Sequence, residues 1–146
     1  MKTYIKNGYV IDPASGFEGQ ADILIRDGRI VKMAEGLCAD VPFVDLAAAQ
    51  IIDATGLVIA PGFVDVHSHF RDPGFTYKED IETGAKAAAK GGYTTVVLMA
   101  NTKPAVDNEE TLSYVLEKGK STGIHVETCA TVTMGMQGKE MVPMEQ

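Results

Sequence analysis

His67 and His69 stand one residue apart in the run Asp65-Val66-His67-Ser68-His69-Phe70-Arg71-Asp72-Pro73-Gly74. Side chains on a strand alternate with a period of two, so the two imidazoles project from one face. From there both can reach a single metal ion, at the roughly 2.0–2.1 Å of a zinc–nitrogen bond. Asp65 shares their parity and is a candidate to orient an imidazole from behind. Arg71 continues the parity beyond the strand end, and its guanidinium offers a planar fork of donors suited to a carboxylate. A bare His-x-His is as readily a pair of structural histidines, and a lone arginine is more readily a surface ion pair, here with Asp72 or Glu79. The context weighs against accident at the histidines. Two of the chain's three His lie here, after an apolar strand and before a Pro-Gly turn.

A second run, Met99-Ala100-Asn101-Thr102-Lys103-Pro104, follows another strand-like segment. If the two strands are barrel neighbours, Asn101 can meet Arg71 over one ligand; by spacing alone it reads as a turn-forming Asn. His125 falls early in a later strand, away from the end where such sites form, and reads as structural. Cys129 has no base partner that would make it a nucleophile.

The elements that carry these runs alternate. Leu57–Ala60 and Phe63–Val66 are near-continuous apolar stretches, the pattern of a parallel strand buried on both faces. A helix is predicted next, with Thr76 and Glu79 as a capping box, Ile81, Ala85, Ala88 and Ala89 on its inner face, and a stop at Gly91-Gly92. Tyr93–Met99 is a second strand. Asp107 caps a second helix whose inner face is Leu112, Val115, Leu116 and Gly119, ended by Gly123. Ile124–Val132 is a third strand. This β-α-β-α-β order has the spacing of right-handed βαβ units. It fits an open doubly wound sheet or the start of a (β/α)₈ barrel, and periodicity does not choose. The preceding residues read as short strands: Tyr4–Ile11, then Ala21–Arg26 and Arg29–Met33 about an Asp27-Gly28 type I′ turn. Glu35–Asp40 reads as a loop and Val41–Asp53 as one or two more strands.

The chain has 146 residues and a net charge of −7, with no basic stripe to neutralise phosphates, which excludes a nucleic-acid binder. Cys38 and Cys129 are too few for a disulfide framework and read as reduced thiols. The N-terminus lacks an apolar signal core and no apolar run suits a membrane helix, so a cytoplasmic location without membrane contact is expected.

Phe63-Val64-Asp65-Val66-His67-Ser68-His69 resembles the first metal-binding strand of the amidohydrolase superfamily. Ile52-Asp53-Ala54-Thr55-Gly56-Leu57 with Ala60-Pro61-Gly62 resembles that superfamily's linker from a small β-sandwich into its barrel, and Asp27-Gly28-Arg29-Ile30 the sandwich hairpin. Within the superfamily, His69-Phe70-Arg71-Asp72-Pro73-Gly74 and Asn101-Thr102-Lys103-Pro104 are most similar to the dihydroorotase family, although Ala100 stands where relatives often carry Pro. The resemblance implies an α/β chain: the N-terminal part of a (β/α)₈ TIM-like barrel, residues 56–146, preceded by a β-sandwich segment, residues 1–55. It implies one or two Zn²⁺ with His67 and His69 as ligands, and Arg71 and Asn101 on the carboxylate of dihydroorotate or carbamoyl-aspartate. The implied reaction is reversible cyclisation of N-carbamoyl-L-aspartate to L-dihydroorotate in pyrimidine biosynthesis. The remaining ligands and the general base are expected downstream, so these residues alone are expected to be inactive. A homodimer and an aspartate transcarbamoylase partner are the associations the resemblance raises. The competing readings are an allantoinase or other cyclic-amide hydrolase, and a non-catalytic scaffold for aspartate transcarbamoylase. Dihydropyrimidinases and hydantoinases fit the Arg-Asp-Pro-Gly pattern less well.

Overall fold

A computed structural model describes residues 1–37 and 49–143, and among these lie eight strands, two α-helices and a short 3-10 helix, Met134–Met136. Cys38, the end of the Glu35–Asp40 loop and the first part of Val41–Asp53 lie outside the described residues. The chain divides into two compact units, Met1–Pro61 and Gly62–Gln146.

In the first unit, β1 (Lys2–Asp12), β2 (Phe17–Arg26), β3 (Arg29–Ala34), β4 (Ala49–Asp53) and β5 (Val58–Ile59) form one sheet. β1 pairs antiparallel with β2 and parallel with β4 and β5. The β2–β3 hairpin turns at Asp27 and Gly28 with φ of 50° and 77°, the backbone of the expected I′ turn. Tyr4, Leu24 and Leu37 are buried together, and the Tyr4 hydroxyl donates to Asp22 Oδ2 at 2.7 Å. A buried phenol keeps its apolar ring inside only when its hydroxyl finds such an acceptor.

The second unit is a parallel sheet in the order β6 (Phe63–Ser68), β7 (Tyr93–Leu98), β8 (His125–Thr128), connected by α1 (Ile81–Lys90) and α2 (Glu109–Lys120). The α/β alternation is as expected, but several local expectations change. Leu57–Ala60 is not a buried strand of this sheet: Val58–Ile59 pairs with β1 in the first unit, and Leu57 and Val58 are exposed. The Pro61-Gly62 interruption separates the two apolar stretches into two sheets. Nor is β6 buried on both faces, since Val64 and Val66 are exposed, Val66 at 69%. β6 hydrogen-bonds along one edge only, to β7, and among the described residues nothing covers these two valines.

Helix α1 begins later than Thr76 and Glu79 suggest. Its N-cap is Asp80, whose carboxylate accepts from the Thr83 amide at 2.9 Å while the Thr83 hydroxyl reaches back to the Asp80 amide. Asp80 satisfies an orphan amide of the first turn directly, and Thr76 lies in the turn before it. Likewise Asn108, and not Asp107, caps α2 by accepting from Thr111 N at 2.9 Å, and Ser121 closes that helix ahead of Gly123. Asp107 instead accepts from Gly135 N. The third strand is short, ending at Thr128.

Inner helix positions Ile81, Ala85 and Val115 join Phe70, Val96, Leu98, Ala100, Val106 and Val126 in one apolar cluster. Gly84 and Gly119 are the close-approach positions: a Cβ on Gly119 would lie 2.8 Å from Val126 Cβ. No helix is long and apolar enough to cross a membrane among the described residues.

Candidate functional site

The strand ends of the second unit carry the candidate residues. β6 runs out at Ser68, and Met99 N donates to Ser68 O at 2.9 Å, so the ends of β6 and β7 are tied at the same level. This places His67 and His69 beside the Asn101 loop. The two imidazole rings are 5.2 Å apart between centres and tilted by 59°. Two imidazoles sharing one tetrahedral zinc, with bonds of about 2.0–2.1 Å, have ring centres about 5 Å apart. The observed spacing of the two ring centres matches that of a pair sharing one ion. His67 is exposed and His69 half-buried.

His69 Nδ1 lies 3.0 Å from Asn101 Oδ1. With the amide oxygen placed there, the ring keeps its proton on Nδ1 and leaves Nε2 with a lone pair for a metal. The expectation for Asn101 was a meeting with Arg71 over a ligand; its contact in the structure is with the imidazole. Asp65 Oδ1 accepts from the backbone amide of His67 at 2.9 Å, which ties it to the strand backbone. Register slips along β6–β7 between Phe63 and Val64 and between Asp65 and Ser68, so the strict alternation is interrupted along this strand.

Arg71 leads out of the strand with φ of 63°, in the left-handed region. For a residue with a Cβ this conformation costs about 1–2 kcal/mol, which the surroundings must supply. Those surroundings are specific. Phe75 N donates to Arg71 O at 2.8 Å, and Lys103 N donates to Pro73 O at 3.1 Å, which binds the Arg71 loop to the Asn101 loop. Gly74 has φ of 94° and meets Lys103 so closely that a Cβ would lie 1.9 Å from its carbonyl oxygen; only glycine fits.

Asp72 is 1% exposed. Its Oδ1 accepts from the Tyr114 hydroxyl at 2.9 Å, and its Oδ2 from Lys118 Nζ at 2.6 Å and Ile81 N at 3.3 Å. The Asp72 carboxylate beside it holds Lys118 above its ordinary pKa, against a smaller opposing effect of burial. Asp72 is thus committed to α1 and α2, and Glu79 takes the Thr83 hydroxyl and the Asp80 amide, so neither is an ion-pair partner for Arg71. Sequence reasoning missed Tyr114 and Lys118. They are four apart on α2, a helical spacing that says which side they share but not that Asp72 lies under them.

A cleft of about 350 Å³ runs behind β6, lined by Asp65, Ser68, His69, Phe70, Glu79 and Gly84 among others. A larger one, about 720 Å³, lies between α2 and the start of β8 and includes His125, which is exposed. It lies away from the strand ends that carry the imidazole pair, the ends at which α/β enzymes place their sites. Cys129 is exposed. Among the described residues no group of three or more His, Cys, Asp or Glu could hold a metal.

The tight contact at Gly84 makes one expectation measurable. A Cβ there would lie 2.6 Å from the Phe70 ring, and Phe70 sits between His69 and Arg71. Gly84→Ala is expected to lower stability by about 1–3 kcal/mol, as overpacking does. Urea unfolding checks it, and a midpoint unchanged from the parent would show that α1 gives way freely.

A parallel α/β sheet with an imidazole pair at one strand end, and an amide side chain from the next strand against it, is the kind of site that metal-dependent hydrolases build. A family model described as dihydro-orotase-like matches residues 56–145, and the chain belongs to that family. The dihydroorotase of Clostridium acetobutylicum is 54% identical over 141 residues, covering 97% of this chain and 32% of that protein. That of Aquifex aeolicus is 49% identical over 142 residues, with the same coverage. The chain therefore spans about a third of the length of the curated relatives it matches. Among solved structures, a D-hydantoinase superposes with a TM-score of 0.71 at 28% identity, covering 91% of this chain and 28% of that one. A dihydropyrimidinase from Brevibacillus agri gives 0.69 at 29% identity, over 91% and 28%.

Proposed function

We propose that this chain supplies the first metal ligands and the substrate-carboxylate contacts of a zinc-dependent dihydroorotase, which interconverts N-carbamoyl-L-aspartate and L-dihydroorotate. The observation that carries the reading is the His67–His69 pair, spaced for one ion and braced at His69 by Asn101. In this reading residues 1–55 belong to a β-sandwich and 56–146 begin a (β/α)₈ barrel, whose later strands bring the remaining ligands and the general base. His67 and His69 hold the more buried of one or two zinc ions. The chemistry supplied when zinc is bound is activation of water and polarisation of the amide carbonyl.

The chain's own residues do the rest of the positioning. Asn101 holds the His69 ring in one tautomer, and Asp65 fixes the strand backbone at His67. Arg71 offers its fork to the substrate carboxylate, and Asn101, on the loop hydrogen-bonded to the Arg71 loop, shares that role; the two donors orient the ring so that the scissile amide faces the imidazole pair. A soluble cytoplasmic enzyme acting on a small molecule, self-associated as a homodimer or bound to an aspartate transcarbamoylase, fits this reading.

The test is an assay on dihydroorotate, allantoin and hydantoin side by side, with zinc added, on the complete protein and on the 146-residue chain. The complete protein is expected to favour dihydroorotate by at least about 100-fold in kcat/KM, a discrimination typical of a site built to bind a polar group that the competitor lacks. The 146-residue chain is expected to be inert, because two imidazoles leave zinc short of ligands. Preference for allantoin or hydantoin would move the assignment to another cyclic-amide hydrolase. Stoichiometric absence of zinc from the complete protein would favour the scaffold.

A further inference from the structure

Asp72 has no part in the chemistry above, yet it is a charged side chain buried to 1% exposure immediately after Arg71. Burying a carboxylate is costly unless every lone pair is used. Here three donors converge on it from two different helices: Ile81 N at the start of α1, and the Tyr114 hydroxyl and Lys118 Nζ from α2. Tyr114 and Lys118 also touch each other, with Nζ 3.4 Å from the hydroxyl and 5.6 Å from the ring centre. A simple helix-to-helix tie would not need to pass through the residue next to a left-handed arginine. The loop is pinned on its other side as well, by Lys103 N on Pro73 O and by the Gly74 contact. Arg71, in the left-handed region, is therefore followed directly by two anchors, Asp72 on the helices and Pro73-Gly74 on the Asn101 loop.

We infer that Asp72, Tyr114 and Lys118 form a positioning network that fixes the backbone of Arg71, so that its guanidinium is presented in one place to an anionic substrate group. This rests on the reading that Arg71 binds the substrate carboxylate. Tyr114 and Lys118 are then positioning residues at the outer end of the network, acting on the substrate only through Asp72 and Arg71. Loss of one donor loosens the arginine without removing it, and small misplacements of a binding group weaken binding out of proportion to the distance moved.

The experiment uses the complete protein with Tyr114→Phe and Lys118→Met, each of which keeps the bulk of the side chain. Tyr114 and Lys118 lie at the surface end of the network, so Tyr114→Phe in particular is expected to fold. KM for dihydroorotate is expected to rise about three- to tenfold, with kcat and zinc content within about twofold of the parent. A second readout needs no turnover: phenylglyoxal modification of Arg71, followed by peptide mass, is expected to change several-fold in rate in both variants. A role confined to folding would lower the unfolding midpoint and leave KM and the phenylglyoxal rate at parental values, and that result overturns the inference. If the parent protein is inert on dihydroorotate while the phenylglyoxal rate still changes in the variants, the substrate reading fails and the positioning network stands.

Discussion

Replacing His69 by alanine in the complete protein is expected to remove bound zinc and to lower kcat/KM for dihydroorotate by at least about 10³-fold. The magnitude follows from what is lost. A catalytic metal contributes several kcal/mol of transition-state stabilisation, and each 1.36 kcal/mol is a factor of ten in rate. His69 is the ring that is already oriented, with Asn101 Oδ1 3.0 Å from its Nδ1, so its removal leaves His67 alone at the end of β6. Metal content by mass spectrometry separates the two parts of the claim. Zinc retained at parental stoichiometry, with activity within tenfold, would mean that the pair is structural. Asn101→Ala provides a graded control, since losing the outer hydrogen bond to a metal-bound histidine typically costs about 10–100-fold in metal affinity or activity.

The second large effect is at Arg71. Arg71→Met is expected to lower kcat/KM for dihydroorotate about 10²–10³-fold, mostly through KM. Hydrogen bonds to charged groups contribute about 1.5–3 kcal/mol each, and a guanidinium can make two in parallel to one carboxylate. Arg71→Lys should recover only part of this, because an ammonium is a point charge without the fork. The decisive comparison uses dihydrouracil, which has the same ring without the carboxylate. Its weak turnover should be nearly unaffected by Arg71→Met, so the discrimination between the two substrates should collapse. A uniform loss on both substrates would show that Arg71 supports the fold of the loop and does not read the carboxylate.

Both effects involve residues visible in the sequence, because strand parity and residue type are local properties. His67 and His69 announce themselves by spacing, Arg71 by the parity it continues, and Asn101 by its place at the end of the next strand. The I′ turn at Asp27-Gly28 and the β-α-β-α-β order are local in the same sense, set by backbone preference and apolar periodicity. Helix starts were less legible. Thr76/Glu79 and Asp80/Thr83 both suit an N-cap, and the choice fell to Asp80, whose carboxylate the folded turn delivers to the Thr83 amide.

What the tertiary structure alone decided is which partners those residues meet. Val58 and Ile59 look from their composition like the start of the parallel sheet, but pair with β1, some fifty residues earlier in the chain. Asn101 meets His69 across 32 residues of chain, a contact that forms only when the ends of β6 and β7 lie side by side. The Asp72 network could not be read from the sequence, since Asp72 and Lys118 are 46 residues apart and become neighbours only when α1 and α2 pack on the same sheet. Spacing along the chain determines the direction in which a side chain leaves its own strand or helix; what it meets there depends on contacts between distant segments, which exist only once the sheet has formed.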